Sequence, residues 1–187
     1  MPSLPRVLGL DDLPLAERMA ARLDGELFSL ADVHCPVDEP ETPALRLAAV
    51  LAGRSARYIA ELGTAAWVWG AAPVPPRRLE LCVDLRARAR PAPARHASVR
   101  EVVVDDGEVR VLEGGRVTSP LRTAVDLARA REPFTDADVA QVQSLARLGS
   151  FGLAQCLALM DARRNLPDKR RAAARLSSAL CQPALTR

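Results

Sequence analysis

The stretch RVTSPLRTAVDLARA, residues 116–130, places charged side chains at helical spacing. Arg122 and Asp126 are four residues apart, and Arg129 follows three residues after Asp126, so the three side chains share one face of a helix. Opposite charges at these spacings form ion pairs worth about 0.2–0.5 kcal/mol each on an exposed helix. The spacing therefore predicts a ladder of surface ion pairs on the outer face of this helix.

Two arginine-rich segments are candidate nucleic-acid-binding sites. Residues 86–100 carry five arginines and no acid, and their prolines favour an extended chain that could follow a phosphate backbone. The alternative for this segment is a solvated loop between strands. The basic C-terminal segment suits a helix that contacts nucleic acid or an acidic partner, and equally a solvent-exposed face. The candidate residues are Arg86, Arg88, Arg90, Arg95, Arg100, Arg163, Arg164, Lys169, Arg170 and Arg171.

Motifs of common enzymes are missing from the sequence. It contains no G-x-S-x-G, no Walker A loop and no G-x-G-x-x-G. The single lysine, Lys169, falls in a predicted helix and not on the strand that a metal-dependent nuclease core would need. The four cysteines lie far apart, and His34 and His96 are the two histidines, so no closed zinc site is expected. We expect a protein without catalytic residues, metal or cofactor.

The elements that must position these side chains belong to an α+β fold. Alternation in RLELCVDLRAR predicts a strand, and SVREVVV with EVRVL predicts a hairpin around the turn DDG. Helical signals occur near residues 12–24 and 43–53, in TAAWVWGA with Thr64 as its cap, and near 120–131, 135–148, 150–164 and 168–181. The expected architecture is a small antiparallel sheet flanked by helices, which are concentrated at the C-terminal end.

Charge is unevenly distributed along the chain. Residues 1–61 hold ten acids and six arginines, residues 62–160 hold eleven acids and thirteen arginines, and residues 161–187 hold two acids and seven basic residues. The front of the chain is therefore acidic and its tail is basic. A helix that reads the major groove of DNA needs the opposite balance, because neutralising phosphates supplies much of the affinity.

Three segments together resemble the actinobacterial AbiEi-type antitoxins of type IV toxin–antitoxin systems. They are GTAAWVWGA, PPRRLELCV and GRVTSPLRTAVDLAR, and the resemblance extends over roughly residues 20–165. It implies a winged-helix domain that binds operator DNA and a larger domain that opposes a nucleotidyltransferase-like toxin without a stable complex. It also places Thr118, Arg122 and Asp126 in the family's most recognisable helix, either as a structural ladder or as part of the antitoxicity surface.

The N-terminal region is shorter than the resemblance implies. About ten residues precede Leu13, whereas a full winged helix has further helices there. We therefore expect residues 1–41 to be a truncated winged-helix-like remnant and residues 42–187 to be the antitoxin C-terminal domain. The expected partners are a cognate toxin and promoter DNA, and the alternative function is nucleic-acid binding through the two arginine-rich segments.

No segment predicts secretion or a membrane. The chain opens without the basic and apolar regions of a signal peptide. Its most apolar run, LGTAAWVWGAAPVPP, is too short to span a bilayer and ends in prolines. A reducing cytoplasm is the expected location.

Overall fold

The N-terminal part of the chain is a helix followed by a hairpin. The computed structural model describes residues 5–9, 12–86, 96–163 and 166–181. Helix α1 (Leu15–Leu23) precedes the antiparallel strands β1 (Leu27–Leu30) and β2 (Val33–Pro36), and Leu8 forms an isolated bridge with His34. The predicted helix is confirmed.

The central sheet has five strands in the order β5–β4–β3–β7–β6. The pairs β3–β4 and β6–β7 are antiparallel, whereas β3–β7 and β4–β5 are parallel. The α+β class is confirmed, but the sheet is mixed instead of wholly antiparallel. The strands are β3 (Ile59–Ala60), β4 (Leu79–Asp84), β5 (Ala97–Val102), β6 (Val109–Leu112) and β7 (Gly115–Thr118).

The predicted pairing of residues 98–112 as one hairpin is wrong. The DDG turn forms, since the N–H of Glu108 donates to the carbonyl oxygen of Asp105, but the strands on its two sides lie at opposite edges of the sheet. Strand β6 instead pairs with β7 across Glu113 and Gly114, which have φ values of 46° and 86°. Two central residues with positive φ match the twist of a tight hairpin, so this turn decides the partner of β6.

Within the described ranges six further helices follow α1, and α4 lies at their centre. It contacts α3, α5, α6 and α7, and its apolar residues join the main core with Trp67 and Leu81. The predicted concentration of helices at the C-terminal end is confirmed. The helices are α2 (Pro43–Leu51), α3 (Leu62–Val68), α4 (Pro120–Ala130), α5 (Asp136–Gly149), α6 (Leu153–Asp161) and α7 (Lys169–Cys181).

Two predicted helix caps can be compared with the structure. Ser119 caps α4 as expected, because its side chain accepts a hydrogen bond from the N–H of Arg122. Thr64 does not cap α3, because the N-cap is Glu61 and Thr64 lies inside the helix. The Thr64 hydroxyl instead accepts a 2.8 Å hydrogen bond from the N–H of Glu80, which fastens α3 to β4. Among the described helices, none is long and apolar enough to cross a membrane.

Candidate functional site

Helix α4 carries the predicted ion-pair residues on a buried face. Arg122 is 4% exposed and Asp126 is 2% exposed. The prediction that this ladder lies on the outer face is therefore wrong. Apolar spacing identified one covered side of α4, but Val103 and Glu108 contact Arg122 on the charged side as well.

The spacing nevertheless identified the correct pairs. Nε of Arg122 donates to Oδ2 of Asp126 at 2.7 Å, and Nη1 of Arg129 donates to the other carboxylate oxygen, Oδ1, at 3.0 Å. Arg122 also uses Nη1 to bind Oε2 of Glu108 at 2.6 Å. Arg163, which follows α6, binds the same carboxylate of Glu108. One chain of alternating charges thus connects α4 with the start of β6 and the end of α6.

A second ion pair joins the buried carboxylate of Glu61 to Arg100, whose side chain is 42% exposed. Glu61, at the turn between β3 and α3, is 1% exposed. Its two carboxylate oxygens accept hydrogen bonds from Nε and Nη2 of Arg100 on β5, both at 2.7 Å. Burial raises the pKa of Glu61, and the Arg100 guanidinium opposes that rise. A bidentate pair of this kind fixes the relative positions of β3 and β5 across the intervening strand β4.

An open groove of about 500 Å³ lies against these pairs. Its lining combines charged groups, among them Arg100, Arg129 and Arg163, with the apolar side chains of Val102 and Val103. We call this feature the arginine groove. Desolvation lowers the pKa of Arg129, and the nearby Arg122 lowers it further, while Asp126 acts in the opposite direction.

The arginines of the groove are engaged with carboxylates of the same chain. Four arginines, Arg100, Arg122, Arg129 and Arg163, form ion pairs with the four carboxylates Glu61, Asp105, Glu108 and Asp126. Equal numbers of opposite charges leave a weak net field for a phosphate backbone. These pairs are typical of a network that stabilises the fold. The open side of the groove still exposes polar groups.

Thr118 lies next to the ion network without joining it. Its hydroxyl is 2.7 Å from the hydroxyl of Thr123, and its carbonyl oxygen accepts a 2.8 Å hydrogen bond from Nε1 of Trp69. The residue therefore fastens the junction of β7 and α4 to α3. This junction sets the direction in which α4 carries Arg122 and Asp126 under the groove.

The described residues of the predicted nucleic-acid-binding set have different surroundings and different acidic partners. Arg100 and Arg163 meet at the groove, whereas Lys169 pairs with Asp161 and Arg171 pairs with Glu132 and Asp168. Arg170 is exposed, and Arg86 pairs with Asp105. The remaining candidates, Arg88, Arg90, Arg95 and Arg164, lie outside the described residues.

Sequence reasoning missed Glu61 and Glu108 as members of the site. Both are separated from their arginine partners by long stretches of chain, 39 residues for Glu61–Arg100 and 14 for Glu108–Arg122. Helical spacing identifies partners within α4 and contains no information on partners from the sheet. Within the described ranges, no group of three or more His, Cys, Asp or Glu side chains is placed to hold a metal ion.

A solved structure has a similar fold. The crystal structure of the RV2827C protein from Mycobacterium tuberculosis matches with a TM-score of 0.51 and 19% sequence identity, covering 94% of this chain and 72% of that one. This likeness concerns the fold alone. No curated protein matches the sequence significantly.

The family follows from a direct sequence match. The family model described as the AbiEi antitoxin C-terminal domain matches residues 58–175, more than half of the chain. The protein therefore belongs to the AbiEi antitoxin C-terminal domain family, and the expected antitoxin-type regulatory role is confirmed at that level. The matched region contains Glu61, Arg100, Glu108, Arg122 and Arg163, so the buried network lies within the family domain.

Proposed function

We propose that this protein is a non-catalytic antitoxin that opposes a nucleotidyltransferase-type toxin. The observation that carries the proposal is the match of residues 58–175 to the AbiEi antitoxin C-terminal domain. The site chemistry supports a role without catalysis, because Glu61, Glu108 and Asp126 each accept hydrogen bonds from guanidinium groups. Carboxylate oxygens held in this way are occupied by cations of the same chain.

The division of the chain is part of the same proposal. Residues 42–187 form the antitoxin domain, and residues 1–41 form a winged-helix-like segment with residual influence on transcription of the operon. The order of α1 and the β1–β2 hairpin supports the second assignment, since a winged helix also places a helix before its wing. Both toxin and antitoxin act in the cytoplasm and oppose each other without a stable complex.

We place the antitoxicity surface at the arginine groove. Arg129 and Arg163 reach it with side chains that are 16% and 17% exposed, whereas Arg122 and Asp126 form its floor. Replacing Arg129 and Arg163 changes the groove while Arg122 still compensates Asp126 and Glu108. The accessible arginines can therefore be tested without removing the buried pair.

The test is rescue of growth. The proposed cognate toxin, a nucleotidyltransferase-type protein, is expressed from an inducible promoter with the full chain or with the double variant Arg129→Gln/Arg163→Gln, and colonies are counted. The full chain should restore growth and the double variant should not. The matched control Arg171→Gln changes an exposed, paired arginine on α7 and should restore growth fully.

Thermal melts of all three proteins separate loss of function from loss of folding. Failure of the full chain to restore growth would refute the antitoxin function. Rescue by a folded double variant would retain that function but remove the arginine groove from it.

A further inference from the structure

Helix α1 presents its apolar residues to solvent. Leu15, Met19 and Leu23 recur every four residues and are 58%, 38% and 82% exposed. The residue that α1 buries is Arg18, which is 3% exposed. This orientation is the reverse of an amphipathic helix that completes its packing within its own chain.

The helix has little else to stabilise it. It is nine residues long, its N-cap Pro14 makes no side-chain capping bond, and it packs against β1. Helices shorter than about 12–15 residues are marginal in water without tertiary packing. Scattered exposed apolar residues need no explanation, but a continuous stripe on one helix marks an interaction surface.

The buried side of α1 explains why the stripe faces outward. Nη1 of Arg18 lies 3.4 Å from Nδ1 of His34 on β2, beneath the helix. Turning Leu15 and Leu23 inward would carry Arg18 away from this position. The chain therefore holds the polar residue against the hairpin and leaves the apolar stripe free.

The charges around the stripe indicate which kind of molecule can bind there. Asp12, Glu17, Asp24 and Glu26 are exposed, against the single exposed cation Arg22 in this stretch. None of these four carboxylates forms an ion pair with another described residue. A nucleic acid would be repelled by this charge, and a second copy would bring the same acids to the interface.

We propose that the exposed stripe of α1 is a docking surface for an amphipathic helix of a partner protein, with apolar residues flanked by lysine or arginine. Leu15, Met19 and Leu23 would fill the spaces between the partner's apolar side chains, as in helix-in-groove recognition. The surrounding carboxylates would pair with the basic flanks and set the orientation. This surface is separate from the arginine groove and extends the proposed function.

The test uses the full chain and a designed 18-residue helical peptide of leucine and lysine, labelled for fluorescence anisotropy. The double variant Leu15→Ser/Leu23→Ser should weaken binding at least tenfold. The matched control Leu148→Ser changes a residue that is 56% exposed on α5 and should bind like the unmodified chain. A leucine–glutamate peptide of the same length should bind at least tenfold more weakly than the lysine peptide.

Three results would overturn the proposal. The first is lysine-peptide binding that is absent or equal in the α1 and control variants. The second is a dimer in sedimentation equilibrium that only the α1 double variant dissociates, which would assign the stripe to a second copy. The third is binding of a 20-base-pair duplex that only this variant loses, which would assign it to DNA. Rescue of growth tests the antitoxin function by itself, so a failure of the α1 proposal would not refute that function.

Discussion

Arg122 and Asp126 form a 2.7 Å ion pair that is enclosed in the interior of the protein. Removing one member of a buried pair leaves the other charge without compensation, which costs about 3–5 kcal/mol. Arg122→Met should lower the free energy of unfolding in urea denaturation by less than that amount, since Asp126 and Glu108 each lose one cation but keep Arg129 and Arg163. The exposed control Arg171→Gln should change it by less than about 0.5 kcal/mol. A loss below about 1 kcal/mol for Arg122→Met would show that the network is not a stabilising element.

Gly115 on β7 leaves no room for a side chain. A Cβ at this position would lie 2.8 Å from Cδ2 and 2.9 Å from Cγ of Leu47 on α2. Overpacking of this kind costs about 1–3 kcal/mol, so Gly115→Ala should lower the urea midpoint. In the double variant with Leu47→Ala the collision with Leu47 disappears. The double variant should therefore lose less stability than the sum of the losses in the two single variants. Simple additivity would show that Leu47 is not the obstacle.

Thr135 closes a capping box at the start of α5. Its hydroxyl oxygen accepts from the N–H of Asp138, and the Asp138 carboxylate accepts from the N–H of Thr135 at 2.8 Å. Thr135→Ala should cost about 1 kcal/mol in thermal or urea unfolding, because a helix N–H loses its acceptor. Thr135→Ser keeps the hydroxyl and should retain most of that stability. Equal losses of unfolding free energy in Thr135→Ala and Thr135→Ser would show that the hydroxyl cap does not stabilise α5.

His34 should make the protein sensitive to mild acid. Burial lowers the pKa of His34 from its ordinary value of 6.5, and the positive charges of Arg18 and Arg22 lower it further. The unfolded chain therefore takes up this proton at a higher pH than the folded chain, and the free energy of unfolding falls as the pH drops below about 6.5. Urea titrations at pH 8 and pH 5.5 measure the fall. His34→Gln should show a smaller difference between the two pH values, and an unchanged difference would exclude His34 as the cause.

The sequence predicted helices and individual strands well because their signals are local. Ser119 with Pro120, and Thr135 with Asp138, define helix starts through contacts within a few residues. Strand β4 follows directly from alternation over residues 79–84. The pairing of β5 and β6 could not be read in the same way, because the choice between neighbouring strands depends on the turn at Glu113 and Gly114 and on the whole sheet.

The candidate site was predictable only in part for a related reason. The i, i+4 and i, i+3 spacings identified the pairs of Asp126 with Arg122 and Arg129. Their burial depends on segments outside α4, and the further members Glu61 and Glu108 come from distant parts of the chain. The roles of Thr118 and of the arginine-rich segments stay predictions.

The ion network has a consequence for how the protein is removed from the cell. Arg163 meets Glu108 across 55 residues of chain, and Arg100 meets Glu61 across 39. Opening any one of these segments exposes unpaired charges in the others, so the domain should open as a single cooperative unit. A protease would then find cleavage sites in α4, β5 and β6 only in molecules whose ion network has opened, and cleavage there would follow that opening equilibrium when cleavage is slow.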